Sequence, residues 1–350
     1  MQMAGRDRPF ALYGDDQSMP INVQVFCELD AGRLEAFATV LSELVSLVGP
    51  DRVTTLGTIV VVDAANVQEA VSAVIRTIDP SVTYTPNPGY SARGVAVPVE
   101  QDSQLISAIV LARELIELLA PPRIHPSETV STVLEELLHV SVYEAAWRRR
   151  GYVHHRGRGL SACDADVLTV VSQMSDEYVV NRRKAMLAST RPMFDHTDGG
   201  LSTGELQYGW SVANTVSSGI RQLGSIVRGV SVGGGTAPES WNLAISGLYR
   251  GVLEPLARHA AYNEVNPSAE SVESLADVPH YRERVSEHWL ALHRSLQRMF
   301  DSDLADTDLL LPEMSEAVRQ ILLRFGIEYQ QVGSGSCQVR FRDPGGASND

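Results

Sequence analysis

Two carboxylates and a histidine fall within five residues of one another in Glu135-Glu136-Leu137-Leu138-His139, with apolar Val133-Leu134 before them and Val140 after. Residues four apart on an α-helix lie one turn above each other, so Glu135 and His139 project on the same side and can grip one cation. Glu136, one position round, can face a water on that cation without binding it. About forty residues downstream, Val170, Val171, Met174, Glu177, Tyr178 and Asn181 follow helical spacing in a second apolar stretch. A carboxylate on an inward helix face is costly unless it is paired or bound to a cation. Glu177 therefore reads as a third ligand or as a salt-bridge partner, with Asp176 at its side behind the ligands or at the surface.

The elements that must position these residues are legible in outline. Residues 1–20 are polar and read as a flexible lead-in. Residues 21–125 alternate strand and helix patterns: a period-two strand over Asn22–Glu28, an amphipathic helix over Asp30–Leu47, a buried strand within Val53–Asp63, a helix over Val67–Ile78 and a loop over Pro80–Ser91. Gly94–Glu100 reads as an edge strand because Pro98 cannot donate to a ladder, and Ser103–Leu119 reads as a third helix. Residues 126–190 form a two-helix core. One helix enters at Ser127, an N-cap, with Glu128 favourable in its first turn, and runs to about Arg150; the other spans Asp164–Ala188. Residues 191–325 are a helical lobe, opening with a polar loop over Pro192–Gly204 that suits a cleft wall or lid. Helices follow over Leu206–Val230, Pro238–Glu264, His280–Phe300 and Glu313–Arg324. Residues 326–350 read as a hairpin around Gly333–Ser336 and a polar tail. The fold class is α+β, with a mixed α/β N-terminal lobe carrying a small sheet and a mostly helical C-terminal lobe.

Composition bounds the function. At 350 residues, 44% hydrophobic and 21% charged, the chain is ordinary globular protein. A net charge of −14 argues against nucleic acid or an anionic membrane as the main partner. No stretch reaches the roughly 18 apolar residues of a membrane span, and no N-terminal run has the order of a secretory leader. A cytoplasmic chain is the expectation. The three cysteines, Cys27, Cys163 and Cys337, are odd in number and far apart, which speaks against a disulfide framework and against a Cys-zinc site.

Thr132-Val-Leu-Glu-Glu-Leu-Leu-His-Val140 and Ser175-Asp-Glu-Tyr-Val-Val-Asn-Arg182 resemble the zincin metallopeptidases, and more narrowly their glutamate-zinc branch, whose third ligand comes from a later helix. The resemblance implies an upstream α/β lobe with an edge strand, His139 and Glu177 as zinc ligands, and Glu136 as the general base. It also implies hydrolysis of a peptide or protein substrate by a metal-activated water. Asp176, Tyr178 and Arg182 would support the ligands or contact substrate. The chain departs from the family at Glu135, which stands where the first histidine of His-Glu-x-x-His belongs. One His and two Glu make a harder ligand set that also suits iron or manganese. An active enzyme, a changed metal and an inactive relative that acts by binding all remain open.

A different class fits part of the pattern. Glu136-x-x-His139 is the element used by carboxylate-bridged di-iron bundles, with Glu177, Glu114 or Glu117 as further carboxylates, although a second Glu-x-x-His is missing. Blander roles suit the remainder. Arg182 and Arg183 complement the helix dipole or pair with acids. His154 and His155 lie in a Gly/Arg loop, and His196 lies in the lid segment. His288 and His293 are five apart and do not stack. Gly233-Gly234-Gly235 lacks the Lys-Ser/Thr of a phosphate loop, and Ser161, Ser231 and Cys163 have no nucleophile-elbow context.

Overall fold

The computed structural model describes residues 6–7, 21–78, 93–101, 104–119, 127–150, 160–190, 212–231, 237–265, 275–332 and 335–342. The chain divides into two compact units, residues 1–152 with 186–206 and residues 153–185 with 207–350.

The first unit is built on a five-stranded sheet. Its strands are β1 (Arg6–Asp7), β2 (Asn22–Val25), β3 (Leu56–Val62), β4 (Gly94–Gln101) and β5 (Gln104–Ala112), in the order β1-β2-β3-β5-β4. β2, β3 and β5 run parallel, and β1 and β4 are antiparallel at the edges. Helix α1 (Ala31–Val48) makes the crossover from β2 to β3. Asp30 caps it by accepting the Arg33 N–H at 2.9 Å, and Gly49 at φ 102° ends it where a side chain would be strained. Helix α2 (Val67–Ile78) packs on Val60, Val62, Val97, Val99, Val110 and Ala112. The alternate residues Ile59, Val61, Ile109 and Leu111 point to the other side and are wholly buried.

Two expectations are corrected here. Residues 104–112, read from sequence as part of a helix, are the central strand β5, followed by the short helix α3 (Arg113–Glu117). The run Leu105-Ile-Ser-Ala-Ile-Val-Leu111 is apolar on both faces, and such a run suits a doubly covered strand as well as a buried helix; pairing on both sides decides for the strand. Arg6–Asp7, inside the segment read as a lead-in, pairs with Val25 and Gln24.

Helix α4 (Ser127–Arg150) crosses β4 and β5 and packs on α1. Val133, Leu134, Leu137, Leu138 and Val140 are buried right round it, as for a helix inside a core. Its far end is tied down by Glu144, 2% exposed, which accepts the Thr54 hydroxyl at 2.5 Å and the Thr55 N–H at 3.0 Å and pairs with Arg148. Near its start α4 lies so close to β4 that a Cβ on Gly94 would stand 2.9 Å from Thr132 Cγ2 and 3.0 Å from Glu136 Cγ.

The second unit carries α5 (Ala162–Thr190) up to Ala185, α6 (Val212–Ser231), α7 (Ala237–Leu248), α8 (Glu254–Val265), α9 (Glu287–Asp301) and α10 (Thr307–Arg324). A π turn, Tyr249–Leu253, joins α7 to α8, and a second, Arg282–Ser286, leads into α9. At the first, α6 comes so close that a Cβ on Gly219 would lie 2.3 Å from the Gly251 carbonyl oxygen. Strands β6 (Ile327–Gln331) and β7 (Cys337–Phe341) form an antiparallel hairpin.

That hairpin overturns the reading of the cysteines. Cys163 and Cys337 form a disulfide across a sequence separation of 174, with Cα atoms 6.1 Å apart. Cysteine spacing along the chain does not measure distance in space, and the hairpin returns beside the start of α5. Around the bond, Asp164 accepts from Ser161, Arg319 and Tyr329, and Trp241 Nε1 donates to Asp166 at 2.7 Å. Among the described residues no helix is long and apolar enough to cross a membrane. The Pro192–Gly204 loop, His154, His155, His196 and Gly233-Gly234-Gly235 lie outside the described residues.

Candidate metal centre

Helix α4 presents Glu135 half-buried and His139 buried, one turn apart. The His139 ring stacks on Tyr143, one turn on, with ring centroids 6.0 Å apart. Glu136 is 8% exposed and its Oε2 accepts the Ala96 N–H at 2.6 Å. Among the described residues β4 is an edge strand with no neighbour on the outer side, where the Ala96 amide meets the carboxylate of α4 instead.

Helix α5 supplies Glu177. Asn181 Nδ2, one turn on, donates to the Glu177 carbonyl at 2.8 Å and to Oε2 at 3.3 Å. Arg258 Nη2 of α8 lies 2.8 Å from the same Oε2 and 3.1 Å from Glu254. The Tyr249 hydroxyl sits in this field: burial first, then the charges of Glu177 and Glu254, push its pKa well up, so it stays protonated.

One ligand atom each from Glu135, His139 and Glu177 lie within 4.8 Å of one another. Three ligands about 2.1 Å from a shared ion stand about 3.4–3.6 Å apart, so closing these three onto an ion asks for side-chain adjustment of about 1 Å. The donors are two carboxylates and one imidazole, buried or half-buried, a set that fits a divalent transition ion. The group can hold a metal ion.

Tyr178 and Arg182, expected to support the ligands or touch substrate, belong to a neighbouring network. The Tyr178 hydroxyl donates to Glu264 at 2.7 Å, Arg182 pairs with Glu264 at 3.0 Å, and His293 Nε2 lies 2.6 Å from it; Gln297 donates at 3.1 Å. The Arg182 guanidinium stacks 4.1 Å over Phe300. Burial alone would raise the Glu264 pKa, but the hydrogen bonds from His293 and Tyr178 and the charge of Arg182 hold it below the ordinary carboxylate value. This network fixes α5 against α8 and α9. Asp176 is half-buried beside Glu177. Glu114 accepts the Ala64 N–H at 3.2 Å and Glu117 pairs with Arg113 at 3.4 Å, so both have structural work of their own.

Sequence reasoning missed Arg258, Glu254 and the Ala96 amide. The four-residue spacing of Glu254 and Arg258 was a signal for a local pair, but nothing in it points towards Glu177. Comparison with family models, with curated proteins and with solved structures finds no match to this chain.

Proposed function

We propose that the chain is a zincin-like metallohydrolase that cleaves peptide bonds, with Glu135, His139 and Glu177 holding a divalent ion and Glu136 acting as general base. The observation that supports it is the approach of these three ligands, from two helices, to within 4.8 Å of one another. When bound, such an ion lowers the pKa of a water towards about 7 and polarises the scissile carbonyl. Glu136, next to a ligand but turned one position round the helix, would be the base that takes a proton from water and returns it to the leaving amine. Its Oε2 is oriented by the Ala96 amide, which fixes the carboxylate in one place before substrate arrives. A second anionic ligand in place of a histidine weakens the Lewis acid, so turnover is slower than at a two-histidine site, and iron or manganese competes with zinc.

A second reading, a relative that binds without catalysis, draws on the same 2.6 Å bond: Glu136 then serves only to tie α4 to β4. Elemental analysis and peptidase assays of the wild type and Glu136→Gln separate the two. The proposal expects one metal ion per chain in both and a 10²–10⁴-fold loss of turnover in the variant. Equal activity removes the base role, absence of metal removes the centre, and two irons per chain point to the di-iron class.

A further inference from the structure

Two donors converge on one oxygen of the proposed ligand. Arg258 Nη2 lies 2.8 Å from Glu177 Oε2, and Asn181 Nδ2 lies 3.3 Å from the same atom while also donating to the Glu177 carbonyl. Both are sheltered, Asn181 at 5% exposure and the Arg258 side chain at 19%. Arg258 is itself held by Glu254, 3.1 Å from the same nitrogen.

The backbone that delivers Arg258 is unusual. The π turn Tyr249–Leu253 immediately precedes Glu254. A π turn takes up one residue more than an α turn, so everything after it is rotated by about 100° relative to an uninterrupted helix. That rotation sets the face on which Glu254 and Arg258 emerge, and the contact of Gly219 with Gly251 leaves the turn no room to move towards α6.

We infer that Arg258 and Asn181 are positioning residues of the metal centre, fixing Glu177 Oε2 so that the carboxylate meets the cation through a single oxygen. The inference rests on the reading of Glu177 as a ligand. Its consequence is a preference of cofactor class. A one-oxygen carboxylate suits the low coordination number of zinc, whereas calcium takes six to eight oxygens and favours bidentate carboxylates. The charge of Arg258 does not dominate, because Glu254 shares it. Orientation does, as for the outer partners of metal ligands in general.

Competition of zinc between the full-length chain and a chromophoric chelator tests this. The variants are Arg258→Met, Arg258→Lys, Asn181→Ser, Glu177→Gln and the double variant Arg258→Met/Glu177→Gln. Arg258→Met is expected to weaken zinc binding 10–100-fold, with partial recovery in Arg258→Lys and no further loss on adding Arg258→Met to Glu177→Gln. Asn181→Ser carries the same comparison if Arg258→Met does not fold. Unchanged or tighter binding in Arg258→Met, or an equal loss in the Glu177→Gln background, overturns the positioning role and leaves the ligand reading standing. Wild-type affinity retained in Glu177→Gln overturns the ligand reading, and the inference with it.

Discussion

Replacing Cys163 and Cys337 by serine opens a loop that the disulfide closes across 174 positions. In the chain-entropy description, the denatured state then regains about 17 cal/mol/K, or about 5 kcal/mol at 25 °C. For a unit of this size that corresponds to a fall in melting temperature of roughly 10–20 °C, at 2–4 °C for each kcal/mol. Cys163 is wholly buried at the start of α5, so the native state also loses the contact that pins the β6–β7 hairpin there. Thermal unfolding with and without reductant is one assay. Alkylation of the denatured, unreduced chain followed by intact mass is the other. One alkylated cysteine, Cys27, is expected before reduction and three after it. Three labels without reduction, or a melting temperature indifferent to reductant, would refute the argument. Structural disulfides persist where thiols are kept oxidised, so the same alkylation on chain taken from cells tests the cytoplasmic expectation directly.

The Cys27 thiol is pushed up to about 11 by burial and then by the charges of Asp63 and Glu114, so in the folded chain at neutral pH it should alkylate far more slowly than a free thiol. Glu264→Gln removes the charge that Tyr178, His293 and Arg182 share, and should destabilise by about 3 kcal/mol in denaturant unfolding, the low end for breaking a sheltered ion pair. Glu264 has a folded pKa depressed below its ordinary 4.5. It binds fewer protons folded than unfolded, so its contribution is complete above pH 4.5 and is lost as the pH falls through the folded value. Half-buried His259, its pKa lowered by desolvation, acts in the same direction from its ordinary 6.5 downwards, so stability measured against pH should begin to fall below about 6.5. Gly219→Ala drives a methyl into the Gly251 carbonyl and should cost about 1–3 kcal/mol by displacing the π turn.

Local physics was written plainly in the sequence. The amphipathic pattern of α1, Gly49 as its stop, the helix over Val67–Ile78 and the doubly apolar run of β3 each follow from a few neighbouring residues, and α4 and α5 could be drawn with Glu135, His139 and Glu177 on them. Pro98 marked β4 as an edge strand for the same local reason. Three features needed the folded chain. β5 was read as a helix because an apolar run carries no period, and only its pairing with β3 and β4 made it a strand. The partner of Cys163 lay 174 residues away, beyond the reach of any spacing argument. The oxygen that Arg258 occupies on Glu177 depended on the rotational phase of α8, which a π turn resets. Residue type and spacing determined which side chains can bind a metal ion, because helix periodicity is local. Tertiary structure alone decided which of them meet and what holds each one in place, because those distances are set by packing between elements far apart in the chain.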